Sequence, residues 1–517
     1  MRAFRKYLTI LCCLLTLLSM AASAEGSLNM NHDGFSTSYT YGYDYWQDVI
    51  ESPDAYRVLT VIDSLNLGLD ENLEGIRMNR PQSLYVRNSS LYIVDTNNNR
   101  ILQVECEKER YTLTRVIKEI QGCEISTFNH PYDVFVDADE NIYVADTDNF
   151  RVVMVDKDLN YIKEFIKPTD TNFDQNLDFK PRKIVVDVAG RVYALVANIN
   201  KGLVKYEADG TFSSFIGANQ VTVSTFDYIW KMYFQTQAQR DASVAFVPTE
   251  YENIYIDKEG FIYATTTTFS EYDLLWDNAK PIRRINSIGN DILIKNDRYP
   301  PIGDLNWLEG DSTYFGPSKM TDITVLDNDI YIALDRVRGR MFGYDDQGVM
   351  LWAFGTRGNI EGAFNSPIAL EHMGYDLFVL DQNDSRVTVF TPIEYGSNVY
   401  AAINEYKDGR YEASADIWRK VLKQNSNYSL AFRGIGRSYL KQNQYEDAME
   451  YFKMAHDQEN YGRAFKLYRK DWIEKNIKWV FLVLIVLIVL WLIKQLRRKM
   501  QWEVIMHERN EVRKTNG

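Results

Sequence analysis

Between about residues 55 and 395 apolar and polar positions alternate in short stretches separated by turn residues. A period of two over four to eight residues predicts half-buried strands. The stretches also repeat. Pro81-Gln-Ser-Leu-Tyr-Val leads into SSLYIVDTNNNRILQVE, Pro131-Tyr-Asp-Val-Phe-Val into ENIYVADTDNFRVVMVD, and Pro181-Arg-Lys-Ile-Val-Val into GRVYALVANINKGLVKY, with the prolines fifty residues apart. A fourth unit runs through YENIYIDKEGFIYATTTT, a fifth through MTDITVLDNDIYIALDRVRGRMFGYD, and a sixth from Pro367 through YDLFVLDQNDSRVTVF. Units that recur at this length cannot each bury an apolar face alone, so they predict an array of similar blades. From about 398 the period becomes helical, and two apolar runs, Tyr7–Met20 and Trp479–Ile493, follow neither pattern.

A second signature sits inside the units. Asp95 precedes Arg100 by five residues, Asp146 precedes Arg151, Asp335 precedes Arg340 and Asp381 precedes Arg386, whereas the third unit carries Val196 and Lys201. The Asp ends one strand and the Arg starts the next, so an ion pair is expected to brace each turn. As surface pairs these would contribute only ~0–1 kcal/mol each, which makes them blade-building residues rather than catalytic ones. Together with Asn129-His130-Pro131 and Asp133-Val134, the units resemble NHL repeats, the β-propeller family named for an Asn-His-Leu signature. The resemblance covers residues 79–392 and implies a mainly β fold, a six-bladed propeller with the strand RVLTVI (57–62) completing the last blade.

SLAFRGIGRSYLKQNQYEDAMEYFKMA resembles a tetratricopeptide repeat (TPR), with Phe432, Ile435, Gly436, Tyr439, Ala448, Phe452 and Ala455 at its signature spacing. Thirty-four residues earlier, Ala401, Ala402, Ser414, Trp418 and Val421 form a weaker copy. The resemblance implies a small all-α region that binds peptides or other proteins, or serves as a stalk. The segment 461–477 is expected to cap it.

The apolar runs set a topology. Arg2, Arg5 and Lys6 before Tyr7–Met20, and Ala22-Ser23-Ala24 after it, read as a secretory signal cut after Ala24. Trp479–Ile493 is fifteen residues without a charge. It covers ~22 Å as a helix, and Lys478 and Lys494 can snorkel to the headgroups. With a signal at the front, residues 25–478 are expected outside the cell membrane and the basic tail inside. The domain plan is a signal peptide (1–24), a Tyr-rich arm (25–54), the propeller (55–395), the TPR-like region (396–477), a single span (478–494) and a cytoplasmic tail (495–517).

Charge sharpens this plan. The chain of 517 residues carries a formal −13. The signal holds three basic side chains, and residues 463–517 hold thirteen basic against five acidic ones, which leaves 25–462 at −24. So acidic an ectodomain excludes nucleic acid as a partner and suits cationic or neutral ligands.

Candidate chemistry is concentrated in inserts. Residues 218–248, 269–281 and 295–316 fall on connections that share one face of adjacent blades. Tyr228, Trp230, Tyr233, Tyr272, Trp276 and Trp307 within them form the expected ligand face, since aromatics beside Asp and Asn suit sugars or peptides. The propeller units hold only His130 and His372, too few for a three-His zinc site. Carboxylates and Asn are abundant, which leaves room for calcium in the channel and for a lactonase- or lyase-like enzyme as the alternative. No HExxH, Gly-x-Ser-x-Gly or P-loop occurs. Cys106 and Cys123 are expected to be free thiols. The layout looks like bacterial NHL/TPR membrane proteins beside sugar-uptake transporters. That resemblance implies a non-enzymatic binding or scaffolding role, without a resident cofactor, toward a membrane protein or peptide and carbohydrate transporter components.

Overall fold

The computed structural model describes residues 40–43, 49–69, 77–171, 173–217, 251–269, 274, 279–295, 301–304 and 317–515. Three strands come first: β1 (Thr40–Tyr43), β2 (Val49–Ser52) and β3 (Tyr56–Ile62). The described strands then build six blades. Blade one is β4 (Ser83–Arg87), β5 (Ser90–Asp95), β6 (Arg100–Glu107) and β7 (Arg110–Ile117); blade two is β8 (Pro131–Val136), β9 (Ile142–Asp146), β10 (Arg151–Val155) and β11 (Tyr161–Phe165). Blade three is β12 (Pro181–Val186), β13 (Val192–Val196), β14 (Leu203–Tyr206) and β15 (Phe212–Ile216), and blade four has three described strands, β16 (Asn253–Ile256), β17 (Ile262–Thr265) and β18 (Ile282–Ile285). Blade five is β19 (Met320–Val325), β20 (Tyr331–Asp335), β21 (Arg340–Tyr344) and β22 (Met350–Phe354). After a two-residue parallel pair, β23 (Thr356–Arg357) and β24 (Ala363–Phe364), blade six follows as β25 (Pro367–Met373), β26 (Asp376–Asp381) and β27 (Arg386–Pro392).

Neighbouring strands within each blade are antiparallel, and the first strands of successive blades touch one another around a ring, ending with β25 against β4. The ring closes where β3 pairs with β27 as the outer strand of blade six, as expected for 57–62. The arm expected over 25–54 is not separate in its described part. β1 adds to β22, and β2 adds to β1, so blade five has six strands. A buried carboxylate fastens this hairpin. Asp304 accepts hydrogen bonds from the Tyr41 hydroxyl (2.8 and 2.9 Å), the Tyr43 hydroxyl (2.5 Å) and the Arg340 guanidinium, and Arg338 lies 3.8 Å away. Burial alone would raise its pKa, but the charges of Arg340 and Arg338 and the two hydroxyls hold it below the ordinary value.

The Asp–Arg signature stands in register at the start of every b–c hairpin that carries it. In blade one Arg100 Nε lies 2.6 Å from Asp95 Oδ2, and in blade two Arg151 Nε lies 3.0 Å from Asp146 Oδ2. These are not surface pairs: the Asp95 and Arg100 side chains are 0% and 2% exposed. Each Asp also accepts the N–H of the residue two before its first strand's proline, Asn79 or Asn129, at 2.7 Å. The next residue, Thr96 or Thr147, donates its hydroxyl to the carbonyl of Pro131 or Pro181 in the following blade. Two pairs expected from the spacing do not form. Arg340 turns instead to Asp304, and Asp335 takes Arg338 at 3.5 Å. Asp381 is occupied by the N–H groups of Asn365, Ser366, Asn383 and Asp384, and Arg386 pairs with Asp384 at 3.0 Å. Cys106 and Cys123 are free thiols.

The chain divides into two compact units, residues 1–401 with 423–427, and residues 402–422 with 428–517. The helices are α1 (Glu394–Lys407), α2 (Tyr411–Gln424), α3 (Ser429–Lys441), α4 (Tyr445–Met454) and α5 (Gln458–Thr515). In the second unit Trp418 and Phe452 are buried. A Cβ on Gly434 would collide with the Trp418 indole and one on Gly436 with the Phe452 ring, so both glycines permit close helix approach. The capping segment and the apolar run, expected as 461–477 and 478–494, belong to the one helix α5. Among the described residues no single unbroken helix is long and apolar enough to cross a membrane. The two parts of α5, Gln458–Trp479 and Phe481–His507, bent by 49°, meet that test together by length and composition.

Candidate functional site

Alternation along the first strand of each blade points every second side chain at the axis of the ring. Six blades therefore supply rings of six. The first ring is Ser83, Asp133, Lys183, Asn253, Asp322 and Ala369, five of them polar. A backbone irregularity just ahead of Asp133, Lys183, Asp322 and Ala369 sets them in phase. The next ring is Tyr85, Phe135, Val185, Tyr255, Thr324 and Glu371.

The first ring holds its own blades together. Ser83 Oγ donates to Asp133 Oδ1 (2.6 Å), and Asp133 Oδ2 accepts the N–H of Ile184 in blade three (2.8 Å). In the other half Asn253 Nδ2 donates to Asp322 Oδ1, and Asp322 Oδ2 accepts the N–H of Leu370 in blade six (2.7 Å). Two three-blade arcs thus carry the same staple. Lys183 marks the difference: its Nζ donates to Ser83 Oγ (2.9 Å) and lies 3.5 Å from Asp133 Oδ1, whereas the corresponding residue in the other arc is Ala369.

Beyond this floor lies a cavity of about 440 Å³, lined through the second ring out to the a–b turns, among them Asp137, Asp187 and Asp257. Tyr85 and Phe135 pack with ring centroids 4.8 Å apart, and the Tyr85 hydroxyl donates to the Val136 carbonyl (3.1 Å). Glu371 is 7% exposed and accepts one hydrogen bond, from the His372 N–H at 3.3 Å. Thr324 Oγ1 and His372 Nδ1 share a hydrogen bond of 2.7 Å.

Burial dominates the titration here. It pushes Asp322 up to about 6 despite Lys183 and two backbone N–H groups. Glu371 is raised well above its ordinary value through burial and then through the Asp322 charge. Burial raises Asp133 as well. For Lys183 burial works toward a lower value, but Asp133 and Asp322 outweigh it and the ammonium is held above its ordinary pKa. Burial lowers His372 to about 4, which leaves the imidazole neutral at pH 7.

A metal does not fit these residues. Both oxygens of Asp133 and of Asp322 already accept hydrogen bonds, and the ammonium of Lys183 stands beside them. Among the described residues no three His, Cys, Asp or Glu side chains converge as a metal set. The calcium for which the composition left room thus finds no donor set there. Tyr228, Trp230, Tyr233, Tyr272, Trp276 and Trp307, the face expected from the inserts, lie outside the described residues. The cavity reaches the a–b turns.

Asp133, Lys183, Asp322 and Glu371 were not among the candidate residues, yet a signal existed. Each is a charged residue in the first strand of its unit, a place where the pattern otherwise calls for apolar ones.

No protein-family model and no curated protein matches the chain. Solved structures similar to it include virginiamycin B lyase from Staphylococcus aureus, at 10% identity over 69% of this chain and 89% of that one, TM-score 0.36. A protein of unknown function from Bacteroides thetaiotaomicron is 10% identical over 67% and 80%, TM-score 0.39. A protein proposed to be a gluconolactonase is 10% identical over 68% and 97%, TM-score 0.38. The propeller itself is read from the strand order and ring contacts above.

Proposed function

We propose that this chain is a membrane-anchored, externally displayed binding and scaffolding protein whose propeller takes a ligand in its axial cavity. The cavity carries this reading. It is the size of a small-molecule site, and its wall combines aromatic rings with a few polar groups that fix orientation. The two floor aspartates are fully engaged in holding blades, which suits recognition over turnover. A lyase- or lactonase-like enzyme is the second reading, favoured by Glu371 and His372 side by side in the cavity wall. Ester or lactone turnover lost in His372→Ala would support it.

The anchor rests on α5. From Phe481 to Ile493 every side chain is apolar and between 42% and 60% exposed, on all sides of the helix. A helix apolar all round belongs in a protein core or a bilayer. With the signal-like start, the propeller would stand outside the cell and the tail inside. The TPR-like helices would then meet a membrane protein or peptide, with components of a carbohydrate transporter as the partner class. Flotation of the full chain with phosphatidylethanolamine/phosphatidylglycerol vesicles tests the anchor. The chain is expected in the vesicle fraction, and the double substitution Leu484→Lys, Leu487→Lys, at ~3 kcal/mol per charge, is expected to release it. If the double variant floats as well as the parent, the anchor lies elsewhere.

A further inference from the structure

We infer that the axial cavity is built for an organic cation, a primary alkylammonium held between Glu371 and the rings of Tyr85, Phe135 and Tyr255. This rests on the reading of the cavity as the ligand site. Two features of the second ring point to positive charge.

The first is Glu371 itself, a carboxyl group more than nine-tenths buried that lines the cavity with no ion-pair partner among the described residues. The groups facing it are Asp322, Lys183, Asp133, His372, Tyr85 and Tyr255. Only Lys183 carries positive charge, and that ammonium already donates to Ser83 beside Asp133. The second is the aromatic wall, since Tyr and Phe rings attract cations through their quadrupoles. Of the other lining carboxyl groups, Asp187 and Asp257 already have their own partners, Arg191 and Arg284, each at 2.7 Å. A neutral ligand would gain only the hydrogen bond that protonated Glu371 can donate. A cation would gain the full carboxylate, because its charge offsets the desolvation that disfavours the charged form of Glu371. Binding therefore favours release of the Glu371 proton to solvent, with no other change of bonds.

The test is calorimetric titration of the full-length chain in mild detergent with putrescine, n-butylamine and Nα-acetyl-lysine N-methylamide, and with n-butanol as the neutral isostere. Measurement in phosphate and in HEPES at pH 7 gives the protons released. The amines are expected to bind at least tenfold more tightly than butanol, with release of protons. Tighter binding of the free amines would assign a soluble amine as ligand, and tighter binding of the lysine derivative would assign a partner's side chain. Glu371→Gln keeps the shape of the group and is expected to lose at least tenfold in amine affinity together with the proton release, with no fall in melting temperature. Phe135→Leu, which leaves all carboxyl groups in place, is expected to weaken the amines several-fold and butanol far less. Butanol binding as tightly as the amines, or Glu371→Gln retaining both affinity and proton release, would overturn the cation assignment. In that case loss of all binding in the cavity-filling Val185→Trp would leave the cavity standing as a ligand site. If no probe binds, or if Val185→Trp changes nothing, the cavity reading falls with it.

Discussion

The propeller contains two clusters of buried acids, and they behave in opposite ways. At the outer part of blade five, Asp304 meets two guanidinium groups and two tyrosine hydroxyls and titrates below the ordinary carboxylate value. At the axis, Asp133, Asp322 and Glu371 share a single lysine and titrate above it. Burial is complete or nearly so in both places. What separates them is the number of cations per carboxylate. Where cations match acids the cluster acts as a fastening, and where they fall short it retains an unmet demand for positive charge. The lesson is that burial alone does not mark a functional acid; an uncompensated one does.

The largest effect should come from breaking the matched cluster. Asp304→Ala leaves Arg340 and Arg338 without their shared partner, and removal of one side of a buried pair costs ~3–5 kcal/mol. The upper end is expected here, read as a fall in the urea midpoint, and the hairpin β1–β2 should lose protection in hydrogen exchange before the blades do. A loss under 1 kcal/mol would mean that the hairpin is held by its backbone ladder alone. Asp95→Ala should come next, at about 3 kcal/mol, because Arg100 is equally buried. The joint change Asp95→Ala, Arg100→Met is expected to restore much of that loss, which an exposed pair would not show.

A pH titration then sharpens the contrast. A carboxyl raised from 3.8 to about 6 in the folded state holds its proton more tightly folded than unfolded. Its stabilisation is therefore present below pH 4 and is lost as the pH rises through 6, about 3 kcal/mol in all. Asp322→Asn should remove that slope from the stability curve between pH 4 and 6. Asp304 has the opposite sign, stabilising above the ordinary carboxylate range and failing as the pH falls. If Asp322→Asn leaves the curve unchanged, the axial ring is wetter than its burial indicates.

Much of the architecture was legible in the chain. The proline-led repeats marked the first strands, and RVLTVI marked the closing strand, because local alternation depends only on neighbours in sequence. The Asp–Arg spacing was also legible, but its burial was not. A pair five residues apart reads as a turn brace, and only the following blade, packed over Thr96 and Thr147, removes it from water. The same limit explains blades five and six. Nothing near Arg340 announces Asp304, which is distant from Tyr41 in sequence by 263 residues. The axial ring was half legible: charged residues in apolar strands were visible one by one, whereas the link from Ser83 to Asp133 exists only once two blades stand side by side.

The pairing of β3 with β27 has a consequence for how the molecule is made. Ile62 faces Val387, and Tyr56 faces Pro392, so β3 waits for a partner synthesised about 325 residues later. Loop closure over such a separation is slow compared with hairpin formation. During synthesis the early blades can form in order, but the circle remains a gapped arc until the last blade emerges. A chain interrupted before residue 387 would be left with an unpaired strand at each end of the arc, the kind of edge that joins other chains.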